Sequence, residues 1–83
     1  MLVSDCLNTN TLGHLTIGGC DTIELAQTFG TPLYVMDEGK IRNTCKMYRS
    51  SIDKYYNGKG MPLYASKAFS CKEICRIVNE EKM

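Results

Sequence analysis

One short segment, residues 63–69, carries a lysine in a setting that could support covalent chemistry. It contains Leu-Tyr-Ala-Ser-Lys-Ala-Phe. Successive side chains of a strand point to opposite faces, so Ala65 and Lys67 would share one face. A lysine amine adds to carbonyl carbons when a buried site keeps it uncharged, and the small side chain of Ala65 leaves room for a flat ring beside it. Lys67 is therefore a candidate nucleophile, and the alternative is an ordinary solvated lysine.

The predicted position of Lys67 strengthens its candidacy. Residues 61–65 have the composition of a short strand, and Lys67 lies where this strand would give way to the next helix. In a β/α barrel the carboxyl ends of the strands build the active site. A lysine at this point would face the mouth of such a barrel.

The first 36 residues predict a strand, a helix and a second strand. Residues 12–17 alternate loosely, which predicts a strand with Leu15 and Ile17 on one face. Asp21 is typical of a helix N-cap, and Gly30 is typical of the end of that helix. A short β-rich run over residues 33–36 follows that helix.

Two further helices are predicted on either side of the lysine segment. Asp37 can cap a long helix, Asn57 and Gly58 can end it, and Ser70 can cap a last helix. The apolar stripe of the long helix falls at helical spacing, as do the core positions of the last helix. These positions are Ile41, Cys45, Tyr48, Ile52 and Tyr55, and then Cys71, Ile74, Cys75 and Val78. The alternation of helix and strand predicts an α/β protein, usually with a parallel sheet.

The histidine and the cysteines are the other side chains that could carry chemistry. His14 is predicted to be a surface or packing residue, because no carboxylate or nucleophile is placed near it in the sequence. The five cysteines are odd in number and do not repeat a zinc-binding spacing, so no metal site is predicted. We expect the thiols to act as small apolar side chains in the core.

The composition argues against several classes of protein. Of the residues, 43% are hydrophobic and 23% are charged, and the net charge is +1 without a basic block, so nucleic acid is not an expected partner. The apolar runs are far shorter than the roughly 18 residues of a membrane span. No signal-peptide pattern opens the chain. We therefore expect a cytoplasmic protein without a membrane partner.

The lysine segment resembles a known cofactor motif. Residues 64–68, Tyr-Ala-Ser-Lys-Ala, are similar to the cofactor-lysine motif of the alanine-racemase-like, fold-type III enzymes that depend on pyridoxal 5'-phosphate (PLP). Residues 14–21, 29–38 and 74–78 resemble the start of the diaminopimelate decarboxylases, in order and at the expected spacing.

The resemblance implies a function for the candidate residues. Lys67 would form the Schiff base with PLP, and Ala65 would lie against the cofactor. Members of the family convert meso-diaminopimelate to L-lysine and carbon dioxide in lysine biosynthesis. The resemblance also implies that residues 1–36 contribute to a β-rich second domain. Residues 37–83 would then begin a PLP-binding β/α (TIM) barrel, with its first strand at about 61–67.

The length implies that the resemblance covers only part of an enzyme. A β/α barrel needs about 250 residues, so the 83 residues are expected to be an amino-terminal fragment, inactive alone, of a homodimeric parent that binds an amino-acid substrate. The family's phosphate-binding loops and the acidic partner of the pyridine nitrogen have no counterpart in the sequence. The alternatives are a non-catalytic truncated remnant, an oligomerising fragment, or a related decarboxylase that acts on arginine or ornithine.

Overall fold

Short strands come first along the chain and three helices follow. The computed structural model describes residues 5–67 and 69–83. The described residues confirm the α/β class. Their elements, in order, are β1 Leu7–Thr9, β2 Leu15–Ile17, β3 Cys20–Asp21, α1 Thr22–Phe29, α2 Glu38–Tyr56 and α3 Lys72–Glu80.

The chain divides into two compact units, Met1–Lys40 and Ile41–Met83. In the first unit, β1, β2 and β3 form an antiparallel sheet in that order. Residues 10–14 connect β1 to β2, and residues 18–19 connect β2 to β3. Connections as short as these can only join antiparallel neighbours. The expected parallel sheet is therefore not formed by the described residues. Strand β1 was not predicted, because its Leu-Asn-Thr sequence has no apolar alternation.

The buried face of β2 is the one that carries Thr16. Thr16 is only 8% exposed, whereas Leu15 is 42% exposed. Thr16 pairs with Asp21, the residue directly before α1, and α1 packs against both β2 and β3. The helix therefore covers the Thr16 face of β2, and Leu15 and Ile17 share the opposite face.

Helix α1 begins and ends as the sequence predicts. The Asp21 carboxylate accepts hydrogen bonds from the amides of Ile23 at 2.8 Å and Glu24 at 3.4 Å. Gly30, at φ 82°, ends the helix, and its amide donates to the Ala26 carbonyl. The β-rich run at residues 33–36 is exposed and has no strand assigned. The sheet of this unit offers it no paired neighbour, and an unpaired strand leaves its backbone groups without partners.

Helix α2 is capped as predicted, because Asp37 Oδ1 accepts a hydrogen bond from the Lys40 amide at 3.1 Å. It ends at Tyr56, where Asn57 and Gly58 adopt positive φ angles of 52° and 73°. Its predicted stripe is only partly buried. Cys45 is 5% exposed, but Tyr48 and Tyr55 are 53% and 71% exposed.

Helix α3 supplies most of the core of the second unit. Ile74, Ile77 and Val78 are 6%, 3% and 9% exposed. Ion pairs join α2 to the end of α3. The guanidinium group of Arg42 lies 3.1 Å from a carboxylate oxygen of Glu80 and 3.5 Å from a carboxylate oxygen of Glu81. Within the part of the chain that is described, no helix has the length and apolar composition of a membrane span.

Two predictions about α3 were wrong. Cys71, not Ser70, is its N-cap residue, and the Cys71 side chain makes no capping hydrogen bond. Cys71 and Cys75 are exposed rather than buried. The buried face is centred on positions 74, 77 and 78, and at 3.6 residues per turn both cysteines fall to one side of it.

Candidate functional site

The candidate lysine lies in an exposed loop of the second unit. Residues 61–67 are all described, and none of them lies in a strand, so the predicted strand over this range is not formed. Residues 66 and 67 form a turn instead. The described residues of this unit form helices and supply no neighbouring strand, so an extended segment here has no ladder to join. Ala65 and Lys67 are both exposed.

The path into this loop is fixed by packing against α2. A side chain added at Gly60 would place its Cβ 3.2 Å from Cγ2 of Ile52, so the backbone passes close to the helix at this point. Pro62, two residues later, is buried. The loop therefore begins against the helix and then turns outward toward Lys67.

A hydrogen bond closes the loop around Lys67. The Tyr64 hydroxyl donates to the carbonyl oxygen of Phe69, so the residues on either side of the lysine are joined. Ala68, the last residue of the predicted motif, lies outside the described residues. In the sequence Tyr64 stands out only as a motif residue, and nothing in the local pattern indicates its bond to a carbonyl five positions later.

The described residues fit one requirement of a PLP site, which is a primary amine that an aldehyde can reach. Lys67 is exposed, and the small Ala65 side chain leaves the loop open on its approach. This arrangement can attach a carbonyl compound covalently. It supplies a single covalent anchor for the cofactor.

A second cluster of polar side chains lies in the first unit. His14 Nδ1 is 2.8 Å from Asp21 Oδ2, and Asn10 Nδ2 donates to the same oxygen at 2.8 Å. Asp21 is only 8% exposed. The hydrogen bond from His14, followed by those from Asn10 and the backbone, lowers the pKa of Asp21 to about 2 against the opposing effect of burial. Asp21 is therefore a charged anchor that joins the β1–β2 turn to α1.

This cluster corrects the reason given for the prediction about His14, since a carboxylate does lie beside it, but it does not contradict the predicted packing role. The β2–β3 hairpin brings position 21 back to position 14, and that pairing could have been inferred only if β3 had been recognised. An open groove of about 500 Å³ lies alongside, lined by Asn10, Thr16, Cys20, Asp21, Glu24 and Leu25 among others. Both Asp21 oxygens are already hydrogen-bonded, which favours a structural role.

No metal centre is formed by the residues that the structure describes. Among residues 5–67 and 69–83, no group of three or more histidine, cysteine, aspartate or glutamate side chains is placed to hold a metal ion.

The chain is similar to known proteins named diaminopimelate decarboxylase. Proteins named diaminopimelate decarboxylase match from Synechocystis sp. (42% identity over 72 residues, 87% of this chain), Bacillus methanolicus (47% over 72 residues, 87%) and Methanothermobacter thermautotrophicus (43% over 76 residues, 90%). The chain spans only 15%, 16% and 17% of their respective lengths. No protein-family model matches the chain, and no solved structure matches it significantly.

The matched region contains the lysine loop. A stretch of 72 residues within a chain of 83 must include residues 12–72, wherever it begins. His14, Asp21 and Lys67 therefore fall inside the matched region. Asn10 lies before residue 12 and need not be included. Over most of its length, the chain is homologous to a segment of the diaminopimelate decarboxylases.

Proposed function

We propose that this chain supplies the cofactor-binding lysine, Lys67, of a PLP-dependent diaminopimelate decarboxylase. The observation that carries the proposal is that the matched 72 residues, at 42% identity, necessarily include Lys67 and its loop. The enzyme would release carbon dioxide from meso-diaminopimelate and yield L-lysine. The amine of Lys67 is exposed, so an aldehyde can reach it, and the rest of the enzyme would supply the buried setting that a nucleophilic lysine needs.

The residues of the loop would have separate tasks. Lys67 Nζ would hold the cofactor and later return a proton to the carbon that has lost carbon dioxide. When bound, PLP supplies an electron sink for the charge left on that carbon. Ala65 would leave space for the cofactor ring, and the hydrogen bond from Tyr64 to the Phe69 carbonyl would limit the motion of the loop.

The proposal includes an architecture for the complete enzyme. Residues 37–83 would begin a β/α barrel, with residues 61–67 pairing as its first strand, and residues 1–36 would belong to a β-rich second domain. Support comes from the antiparallel sheet of the first unit and from the change of compact unit after Lys40, close to the proposed boundary. The enzyme would be a cytoplasmic homodimer acting on an amino acid, without nucleic-acid or membrane partners.

A chimeric enzyme tests this function. The matching segment of the diaminopimelate decarboxylase of Bacillus subtilis, which is 42% identical over 72 residues, would be replaced by this chain. We expect the chimera to release carbon dioxide from meso-diaminopimelate when PLP is added. The same chimera with Lys67→Ala should fall to background, since the amine that holds the cofactor and returns the proton is gone.

The matched control is Lys59→Ala, which removes another exposed lysine of the same unit. Its chimera should keep its activity. Borohydride reduction followed by peptide mapping should place the pyridoxyl group on Lys67. Activity that survives Lys67→Ala, or a label on Lys59 or Lys72, would show that the assignment is wrong.

A further inference from the structure

Two exposed cysteines lie one turn apart at the start of α3. Cys71 is the N-cap residue of the helix and Cys75 lies within its second turn. The Cys75 amide donates to the Cys71 carbonyl at 3.1 Å, so the two residues have the spacing of helical neighbours. Side chains four positions apart within a helix have Cβ atoms about 5–6 Å apart, and Cys71, whose backbone is extended at φ −152° and ψ 167°, lies at the edge of this first turn. The thiols of the two residues can therefore reach a common atom.

The direction of the Cys75 side chain supports this convergence. Its Sγ lies 4.0 Å from the Ser70 hydroxyl oxygen, and Ser70 directly precedes Cys71. The thiol thus points toward the start of the helix, which is the usual direction of helical side chains. Both cysteines are exposed, so a ligand can approach from solvent.

The number of ligands decides which kind of species such a pair can hold. A structural zinc site needs four protein ligands. The described part of the chain contains no group of three or more suitable side chains. A trivalent organoarsenical needs only two thiols, because its own carbon already occupies the third position on arsenic.

We propose that Cys71 and Cys75 form a paired-thiol site for soft, thiophilic centres, of which a trivalent arsenical is the clearest example. With an arsenous oxide, R–As=O, the two S–H bonds break and two As–S bonds form. The oxygen leaves as water with both protons, and arsenic remains trivalent. No oxidant or reductant is required.

Binding of phenylarsine oxide to the reduced chain tests the proposal. Intact mass should show one adduct per chain, and peptide mapping should place it on Cys71 and Cys75. Either Cys71→Ser or Cys75→Ser should weaken binding by at least about 100-fold, because the second thiol then no longer adds an intramolecular contact. A small dithiol should remove the arsenical, whereas the same concentration of glutathione should not.

Cys20→Ser is the matched control, because Cys20 is also exposed but has no cysteine one helical turn away. It should bind as the unaltered chain does. Far-UV circular dichroism of all three variants shows whether helix content is kept. Full binding by either α3 variant with native helix content, an adduct that maps to Cys20, or failure of the unaltered chain to bind would each overturn the proposal.

Discussion

The imidazole Nδ1 of His14 lies 2.8 Å from Oδ2 of Asp21, although seven positions separate the two residues. The β2–β3 hairpin makes this approach possible, and Asn10 completes the cluster from the other side. Asp21 also caps α1. One carboxylate therefore links the turn between the first two strands to the start of the first helix.

The first prediction concerns the acid stability of the first unit. The pKa of Asp21 is lowered to about 2, chiefly by its hydrogen bond with His14, from an unfolded value of ~3.9. A group whose pKa is lower in the folded state stabilises that state above its unfolded pKa and loses the effect as the pH falls through its folded pKa. Stability should therefore fall as the pH drops from about 5 toward 2.

Asp21→Asn tests this prediction, because asparagine keeps the shape and can still cap a helix. The urea midpoint of the variant, followed by circular dichroism, should depend less on pH over that range. His14→Ala should raise the pKa of Asp21, as seen by NMR titration of its carboxyl carbon, while Thr22→Val should leave it unchanged. The prediction would be contradicted if the urea midpoint of Asp21→Asn kept the pH dependence of the unaltered chain, or if the pKa of Asp21 did not change in His14→Ala.

The second prediction compares two neighbouring glycines, both at positive φ. Gly18 has a φ of 57°, and a Cβ there would lie 2.7 Å from Asp37 Oδ2; Gly19 has a φ of 83° and open space around it. Alanine at either position should cost roughly 1–2 kcal/mol of unfolding free energy for its left-handed backbone. Gly18→Ala should cost more than Gly19→Ala, because it also displaces the carboxylate that caps α2.

A double variant isolates the displaced cap. Asp37→Ala alone should cost about 1 kcal/mol, the usual value of a lost N-cap. When Asp37→Ala is combined with Gly18→Ala, the loss of unfolding free energy should be smaller than the sum of the two single losses. The reason is that the Asp37 carboxylate, with which the new Cβ would clash, is no longer present. Equal losses for the two glycine variants in urea unfolding would rule out the close approach of Gly18 to Asp37.

The third prediction concerns the core of the second unit. Ile77 is 3% exposed, and Ile77→Ala should lower the unfolding free energy by about 2–5 kcal/mol through lost burial and the cavity left behind. Leu12→Ala is the matched control, because Leu12 is 70% exposed and exposed substitutions usually change stability by less than about 0.5 kcal/mol. Similar midpoints for the two variants in urea would mean that α3 does not supply the core.

The features that the sequence predicted correctly depend on neighbouring residues. Asp21 and Asp37 cap their helices as predicted, since a cap needs only amides two or three positions away. Gly30 and Asn57 end their helices for equally local reasons. The α/β class followed from these elements.

The features that the sequence missed depend on distant partners. Residues 33–36 and 61–67 have β-rich composition, yet a strand exists only where another strand binds its backbone, and composition does not identify that partner. The pairing of His14 with Asp21 required a hairpin whose strands are three and two residues long. At the candidate site, the motif identified Lys67, but its exposure and the bond from Tyr64 to Phe69 follow from the loop that replaces the predicted strand.

The cluster around Asp21 has a consequence for hydrogen exchange. Asn10 Oδ1 accepts two backbone amides at 3.0 Å, and Asp21 Oδ1 accepts two more at 2.8 and 3.4 Å, while the two side chains bind each other. These amides belong to a turn and to a helix start, segments that usually open independently. Because one pair of side chains protects all four amides, we expect the four to exchange with solvent deuterium together, through a single opening event. The four amides are those of Leu12, His14, Ile23 and Glu24.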